Sequence, residues 1–364
     1  MKKLVTSEAI TEGHPDKICD KISDMILDTA LSQDKYSKMA VEATIKDELI
    51  LIYGEAKTKA VIDYESIAKG VLKDIGYTEE YKVIIKVGVQ SAEINNAVDK
   101  DVVCAGDQGI MFGYATDESK EFMPLSILFA NRLAKKMSKV RKDDPNSILG
   151  PDGKTQVTVE YVDDKPVRVD TIIIASQHKI DINKKELDEL IINKVIKEII
   201  PENFIDSNTK ILINTSGSFV VGGSFGDSGT TGRKIVVDTY GGVGKVGGGC
   251  FSSKDPSKVD RSAAYYARYV AKNIVANKYA SRCEVEVAYA IGLENPLAVN
   301  IETFNTENTS MEKIYEYVNK NFNFSVDNII KELDLLRPIY YDLAAYGHFG
   351  RDDLNLSWEV IKTE

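Results

Sequence analysis

The 364-residue sequence has few cysteines and no excess of positive charge, and each shortage excludes a class of protein. Its four cysteines are far apart and form no CxxC pair, which favours reduced structural thiols over a zinc site or a disulfide framework. The net charge of −10 argues against nucleic acid or an anionic membrane as a partner, because phosphate-rich polymers bind basic surfaces. Any anion site must therefore be local.

Long hydrophobic runs are also missing. No stretch of 18 apolar residues occurs, and the first residues, MKKLVTSEAITEGHPDK, contain no hydrophobic signal-peptide core. Neither a membrane-spanning helix nor an export signal is expected, so the expected location is cytoplasmic. A chain of this length exceeds the usual size of a single hydrophobic core, which predicts two or three domains.

The predicted elements repeat three times along the chain. Each unit begins with a long helix, at about 15–32, 123–141 and 257–276, and continues with two strands and a further helix. This repeat predicts an α/β fold of the α+β type, with three pseudo-symmetric domains that each have a small mixed β-sheet and helices on one face. The predicted domains cover residues 1–92, 103–221 and 222–361.

The segment from Gly226 to Ser262 is rich in glycine and positively charged. It holds nine of the chain's 25 glycines, and six lysines and arginines against four aspartates. Glycine lets backbone N–H groups approach a ligand, while lysine and arginine form charge-assisted hydrogen bonds with phosphate oxygens. The spacing matches neither a Walker A loop nor a Rossmann fingerprint. The segment predicts a polyphosphate site, with a flexible surface loop as the alternative.

Two predicted helices begin with the same arrangement of residues. In EGHPDK, His14 precedes the helix and Asp16 lies in its first turn, and KDPSKVD places Asp260 in the first turn of a later helix. The positive end of a helix favours phosphate, and a carboxylate there can hold a divalent cation. The alternative for Asp16 is simple complementation of the helix dipole. A spacing of four residues predicts a mostly solvated face for the stripe of Asp16, Asp20, Asp24 and Asp28.

Several strings, taken together, resemble the S-adenosylmethionine synthetase (methionine adenosyltransferase) family. From about residue 5 to residue 351 they follow the family's order: TSEAITEGHPDKICDKISDMILD, GDQGIMFGYATDE, GDSGTTGRKIVVDTYGG, GGGCFSSKDPSKVDRSAAYYARYVAKNIV and AAYGHFGR. The resemblance implies three pseudo-symmetric domains and the synthesis of S-adenosylmethionine from L-methionine and ATP. The methionine sulfur would attack C5′ of ATP, and the released tripolyphosphate would be hydrolysed to pyrophosphate and phosphate. A homodimer with shared active sites, usually doubled to a homotetramer, is also implied.

The resemblance implies a role for each residue at a matching motif position. The implied catalytic residues are His14, Asp107, Lys154, Arg233 and Lys254. ATP and its phosphates would contact His14, Asp152, Lys154, Phe219, Arg233, Lys234, Lys254 and Lys258, with Phe219 stacked on adenine. Methionine would contact Glu55, Gln90, Asp227 and Lys258. Two Mg²⁺ ions per active site would be held by Asp16 and Asp260, and one K⁺ per subunit by Glu42.

Three features depart from the family's pattern. The segment from Gln90 to Asp107 is a few residues short, Ser218 replaces a basic residue, and Ser253 replaces a glycine. The short segment predicts a looser methionine pocket, to be tested by comparing methionine with ethionine as substrates. Two alternative functions are a catalytically silent nucleotide-binding regulatory paralogue, which should have lost a charged site residue, and an ATP-dependent kinase, which needs a hydroxyl acceptor and a catalytic base.

Overall fold

The computed structural model describes residues 2–89 and 103–362. Its strands are β1 (Lys2–Ile10), β2 (Lys38–Lys46), β3 (Leu49–Lys57), β4 (Lys82–Gly88), β5 (Gly109–Thr116), β6 (Leu149–Val162), β7 (Lys165–His178), β8 (Lys210–Ile213), β9 (Gly229–Thr230), β10 (Arg282–Tyr289) and β11 (Ala298–Glu302). Its main helices are α1 (Pro15–Gln33), α2 (Tyr64–Ile75), α3 (Leu125–Asp143), α4 (Lys184–Ile191, continued by a π-helical turn at Ile192–Ile196 and an α-helical turn at Lys197–Ile199), α5 (Gly223–Gly226), α6 (Ile235–Asp238), α7 (Val259–Ala276), α8 (Met311–Asn321), α9 (Val326–Glu332) and α10 (Tyr340–Leu343). The long helices that begin the three units confirm the predicted ones to within two residues at either end.

The strands form three sheets, each covered by one long helix. The N-terminal sheet has the order β4-β3-β2-β9, the central sheet β1-β6-β7-β8 and the C-terminal sheet β11-β10-β5. Helix α1 packs on the first, α3 on the second and α7 on the third. One parallel pair makes each of the first two sheets mixed, whereas the three C-terminal strands pair antiparallel. The predicted α/β class with three related units is confirmed.

One strand of each sheet comes from a neighbouring unit of the chain. Strand β1 precedes α1 but pairs with β6, β5 precedes α3 but pairs with β10, and β9 precedes α7 but pairs with β2. Each sheet therefore combines strands from two of the predicted domain ranges. One range supplies all but one of its strands, and another range supplies the remaining strand. The loops that lead from β1 to α1 and from β9 to α7 consequently pass between sheets. The three domain ranges stay a prediction, and the end of the first lies outside the described residues.

Hydrophobic periodicity explains how the sheets bury their core. In β2, the buried side chains are Met39, Val41, Ala43 and Ile45, as the alternating pattern predicts, and the side chains between them face the other way. The same alternation places Glu42 on the face that α1 does not cover. Within the described part of the chain, none of the helices is both long and apolar enough to cross a membrane.

The four-residue aspartate stripe of α1 is buried, so the prediction of a solvated face was wrong. Asp20 accepts a hydrogen bond from the Gly232 N–H at 2.8 Å, and Asp28 accepts two from the backbone of Tyr340 and Tyr341. The Asp24 carboxylate accepts hydrogen bonds from Arg261 Nη2 at 2.7 and 2.9 Å, and neither side chain is exposed. The stripe joins α1 to segments more than 200 residues away, which local periodicity does not reveal.

Breaking the buried ion pair of Asp24 and Arg261 should destabilise the fold strongly. Burial raises the pKa of Asp24 even with Arg261 beside it, so desolvation outweighs much of the attraction within the pair. Asp24→Asn nevertheless leaves the Arg261 charge buried without a counter-charge, which costs about 3–5 kcal/mol. We expect that loss in the free energy of unfolding by urea. Glu65→Gln, which breaks the exposed Glu65–Lys69 pair on α2, should leave the free energy of unfolding nearly unchanged; equal losses would contradict the assignment.

Candidate functional site

A first cluster of predicted site residues lies at the start of α1, and we name it the His14 group: His14, Asp16, Arg233 and Lys234. Asp16 is fully buried, and its Oδ1 accepts hydrogen bonds from the Thr230 N–H at 3.0 Å and Arg233 Nε at 2.8 Å. Its Oδ2 accepts a hydrogen bond from Lys234 Nζ. Burial alone would raise the pKa of Asp16, but these three hydrogen bonds outweigh it and hold the pKa below its ordinary value. Asp16 is therefore an ionised carboxylate.

His14 caps α1 and presents one defined donor. Its Nδ1 accepts a hydrogen bond from the Asp16 N–H at 3.2 Å, and Pro15 fills the first helical position. Burial lowers the pKa of His14 to about 4, so the ring is neutral at pH 7. Because Nδ1 is the acceptor, the proton of the neutral imidazole is assigned to Nε2. The Nε2–H group is suited to donate to an anionic oxygen.

The central hairpin of β6 and β7 adds Lys154 and Asp152 to this region, and the loop after α5 adds Asp227. The charges of Lys154 and Asp227 act on the pKa of His14, and both also act on Asp152. Lys154 lies on β6 opposite Ile10, the last residue of the exchanged strand β1, which brings it to the start of α1. Asp152 is buried and accepts a hydrogen bond from the Gly223 N–H at 2.8 Å, and burial raises its pKa to about 6. Its carboxylate thus holds the loop that leads to Asp227.

Phe219 is anchored to the same hairpin. Its N–H donates to His178 Nε2 at 3.2 Å, and its carbonyl oxygen accepts from the His178 N–H at 2.9 Å. The Gln177 side chain joins this segment to Asp152, because Nε2 donates to the Val220 carbonyl and Oε1 accepts from the Asp152 N–H. The segment that carries the half-buried Phe219 is therefore held beside Asp152.

A second cluster lies at the start of α7, and we name it the Lys254 group: Lys254, Lys258 and Asp260. Lys254 Nζ pairs with the Asp260 carboxylate, and Lys258 Nζ pairs with Asp255 at 2.6 Å. Asp255 organises this loop, because it is buried and accepts hydrogen bonds from the backbone of Met39 and Ser257. It therefore fastens the lysine-bearing loop to β2.

The three remaining described residues of the predicted site border the Lys254 group. The Gly106 N–H donates to the Ser257 carbonyl at 3.0 Å, which places the exposed Asp107 beside the start of α7. Residue 254 bridges to Ala40 of β2, and Ala40 is in turn the register partner of Glu55. Glu42 lies on the same sheet face as Glu55 and accepts a hydrogen bond from the Tyr53 hydroxyl at 3.1 Å. Gln90 lies outside the described residues, as does most of the short segment that follows it.

The two groups are not bonded to one another within the described part of the chain. Over residues 2–89 and 103–362, no hydrogen bond or ion pair joins a member of the His14 group to a member of the Lys254 group. The same residues contain no set of three or more His, Cys, Asp or Glu side chains able to hold a metal ion. Mg²⁺ typically uses one or two carboxylates together with phosphate oxygens and water, so single carboxylates such as Asp16 and Asp260 fit it only with a phosphate ligand.

The fold and the two groups define a class of protein: a three-sheet α/β protein whose lysines and arginines stand beside carboxylates in a manner suited to a polyphosphate with divalent cations. Family models of S-adenosylmethionine synthetase match residues 2–102 as its N-terminal domain, 102–219 as its central domain and 221–360 as its C-terminal domain. The S-adenosylmethionine synthase of Clostridium acetobutylicum is 50% identical and that of Clostridium tetani 48% identical, each aligned over 99% of this chain and 97% of the relative. The chain belongs to the S-adenosylmethionine synthetase family.

A glycine beside Asp260 offers a test of how tightly the second group is built. A Cβ atom at Gly249 would lie 2.0 Å from Cγ of Asp260, whereas one at Gly248 would meet no atom within 4 Å. Gly249→Ala must displace the carboxylate, and overpacking of this kind costs about 1–3 kcal/mol. Urea denaturation should show that loss for Gly249→Ala and almost none for Gly248→Ala. Equal stability of the two variants would contradict the close packing around Asp260.

Proposed function

We propose that the protein synthesises S-adenosylmethionine from L-methionine and ATP. The single observation that supports this most is the His14 group, in which a neutral imidazole donor, a buried ionised carboxylate, an arginine and a lysine converge at a helix start. The positive end of a helix and clustered cations are suited to a polyphosphate. A cytoplasmic location is part of the proposal.

The reaction places its main demand on the leaving group. The methionine sulfur forms a bond to C5′ of ATP while the bond from C5′ to the phosphate oxygen breaks, and tripolyphosphate leaves with the electron pair. A thioether carries no proton, so the nucleophile needs no general base. The residues must align sulfur, C5′ and oxygen and stabilise the charge that develops on the leaving oxygen. Hydrolysis of the tripolyphosphate to pyrophosphate and phosphate follows.

The residues that contact the substrates receive the roles that their motif positions in the family imply. We assign the Nε2–H of His14 to the oxygen that bridges C5′ and the phosphates, and Asp107 to the neighbourhood of the ribose. The phosphates would contact Lys154, Arg233, Lys234, Lys254 and Lys258. Adenine would stack on Phe219 beside Asp152. Methionine would be held by Glu55, Gln90, Asp227 and Lys258.

Metal ions complete the proposal. Asp16 and Asp260 would hold two Mg²⁺ ions per active site, and Glu42 would hold one K⁺ per subunit. Mg²⁺ supplies positive charge that neutralises phosphate oxygens when it is bound. The chain's own residues supply what this requires: Asp16 is ionised, and both carboxylates already face lysine side chains that can contact the same phosphates. Mg²⁺ would therefore replace the lysine beside each carboxylate, and the polyphosphate would replace the carboxylate beside each lysine. Binding of the metal is in this way coupled to binding of the polyphosphate.

We further infer a homodimer with shared active sites, doubled to a homotetramer. The proposed methionine ligands support a shared site, because Asp227 lies near the His14 group whereas Glu55 and Lys258 lie with the Lys254 group. A second copy would bring its Lys254 group to the His14 group of the first. The face of the N-terminal sheet opposite α1, which carries Glu42 and Glu55, is the surface that this arrangement would use.

One assay tests the proposed function directly. The protein is incubated with methionine, ATP, Mg²⁺ and K⁺, and the expected products are S-adenosylmethionine, pyrophosphate and phosphate. Phosphate release without the sulfonium product would overturn the proposal. Tight nucleotide binding without any turnover would instead favour the silent regulatory paralogue.

Asp16→Asn should separate the metal role from the phosphate role. Removing the carboxylate charge frees Lys234 and Arg233, so without Mg²⁺ tripolyphosphate should bind about two- to tenfold more tightly, the equivalent of about one net hydrogen bond. With Mg²⁺ present, binding should be weaker than in the wild type, and turnover should fall roughly a hundredfold. Calorimetry with and without Mg²⁺ measures the first two effects. Asp34→Asn, at the opposite end of α1, is the control and should change none of the three quantities. If Asp16→Asn bound tripolyphosphate more weakly than the wild type without Mg²⁺, the proposed replacement of the Asp16 carboxylate by phosphate would be contradicted.

Mixing two inactive variants tests the shared site. His14→Ala alters the His14 group and Lys254→Ala alters the Lys254 group, so each homodimer should be inactive. A mixed dimer holds one intact site and one doubly altered site, and random mixing should restore about a quarter of the wild-type activity. Turnover is measured after the two variants are unfolded and refolded together, with each variant refolded alone as the control. A mixture no more active than its components would contradict a site built from two copies.

A further inference from the structure

Two segments that carry or precede proposed site residues meet at the side chain of Tyr77. This residue is the second after α2 and is 7% exposed. Gly76 ends α2 with a φ of +113°, a backbone conformation that favours glycine, and the Tyr77 N–H donates to the Leu72 carbonyl at 2.9 Å. The turn sends the Tyr77 ring away from α2 and towards the start of α1.

The first contact is with the residue before His14. The Tyr77 hydroxyl donates to the Gly13 carbonyl at 2.7 Å, and the bond is buried. Gly13 itself packs closely on the central hairpin, since a Cβ atom there would lie 2.4 Å from the Pro151 carbonyl oxygen. The peptide that carries His14 is thus held between the phenol and the start of β6.

The second contact is with the loop that leads to Asp227. A Cβ atom at Gly223 would lie 2.3 Å from the Tyr77 hydroxyl oxygen, so the phenol fits only because this residue has no side chain. The Gly223 N–H donates to the Asp152 carboxylate at 2.8 Å, and the charge of Asp152 acts on Tyr77. One hydroxyl group therefore touches the His14 loop and the Gly223 loop, and lies close to Asp152.

We propose that Tyr77 is a positioning residue for the synthetase reaction, whose hydroxyl fixes the Gly13–His14 peptide against the loop that runs from Gly223 to Asp227. This inference rests on the proposed function. Burial raises the pKa of Tyr77 well above its ordinary value, so the phenol keeps its proton and remains a hydrogen-bond donor. Tyr77 touches none of the reacting atoms, and its effect passes through the placement of His14.

Tyr77→Phe removes the hydroxyl and keeps the ring that packs on Gly223. The turnover number should fall by at least about tenfold, because a small displacement of the leaving-group donor impairs alignment in the transition state. The KM for methionine should stay within about twofold, because the retained ring and the hydrogen bond from the Gly223 N–H to Asp152 still hold the loop that leads to Asp227. Hydrogen exchange of the backbone amides of residues 12–16 should become faster, since the His14 loop loses its anchor.

Tyr289→Phe is the matched control. Its buried hydroxyl also donates to a backbone carbonyl, that of Phe324 at 2.6 Å, but in the C-terminal unit. We expect a similar decrease in the urea midpoint for both variants, with unchanged turnover and unchanged exchange of residues 12–16 for Tyr289→Phe. Wild-type turnover in Tyr77→Phe, or an equal loss in both variants, would overturn the positioning role while leaving the proposed function intact. If the wild-type protein forms no S-adenosylmethionine, the proposed function fails. Unchanged hydrogen exchange of residues 12–16 in Tyr77→Phe would separately overturn the anchoring role.

Discussion

The structure depends on the burial of carboxylates along one face of α1. A buried ionised carboxylate is costly unless hydrogen bonds and opposite charges surround it, so each aspartate of the stripe requires partners. Those partners come from distant parts of the chain: Arg261 contacts Asp24, and the N–H groups of Thr230 and Gly232 contact Asp16 and Asp20. The requirement to satisfy these charges brings the start of α7 and the glycine-rich segment to α1. It thereby organises both the fold and the His14 group.

The exchange of strands between sheets also helps to organise the His14 group. Because β1 pairs with β6 while α1 packs on β2, the connecting loop must cross from the central sheet to the N-terminal sheet. His14 lies on that crossing, and the segment after β9 makes the corresponding crossing towards α7. Crossing loops are held at both ends by different sheets, so their side chains are fixed more firmly than those on a free surface loop. This provides the rigid first turn on which a defined His14 donor depends.

Sequence reasoning predicted what local patterns determine. Pro15 and the apolar spacing after it indicated where α1 begins, and alternation in β2 placed Val41 and Ala43 inside and Glu42 on the other face. The burial of Asp24 could not be predicted in this way, because periodicity records spacing and its partner Arg261 is 237 residues away. The exchange of β1, β5 and β9 was equally invisible, since strand patterns give no information on pairing partners. Tyr77 was missed because its importance lies in a contact with the backbone of another loop.

Pairing within the site also explains how an acidic chain can present cations to a polyphosphate. Arg233 and Lys234 do not form an isolated basic patch, because the Asp16 carboxylate lies against both, and Lys254 is likewise matched by Asp260. Such pairs cost less than clustered like charges, and they hold each long side chain in one place before any ligand arrives. In the proposed function, a polyphosphate that brings divalent cations would replace these contacts. Phosphate would take the place of the carboxylate beside each lysine or arginine, and the divalent cation would take the place of the ammonium or guanidinium group beside each carboxylate. The exchange leaves the charge around each residue nearly unchanged, so the site requires little rearrangement to receive a highly charged substrate.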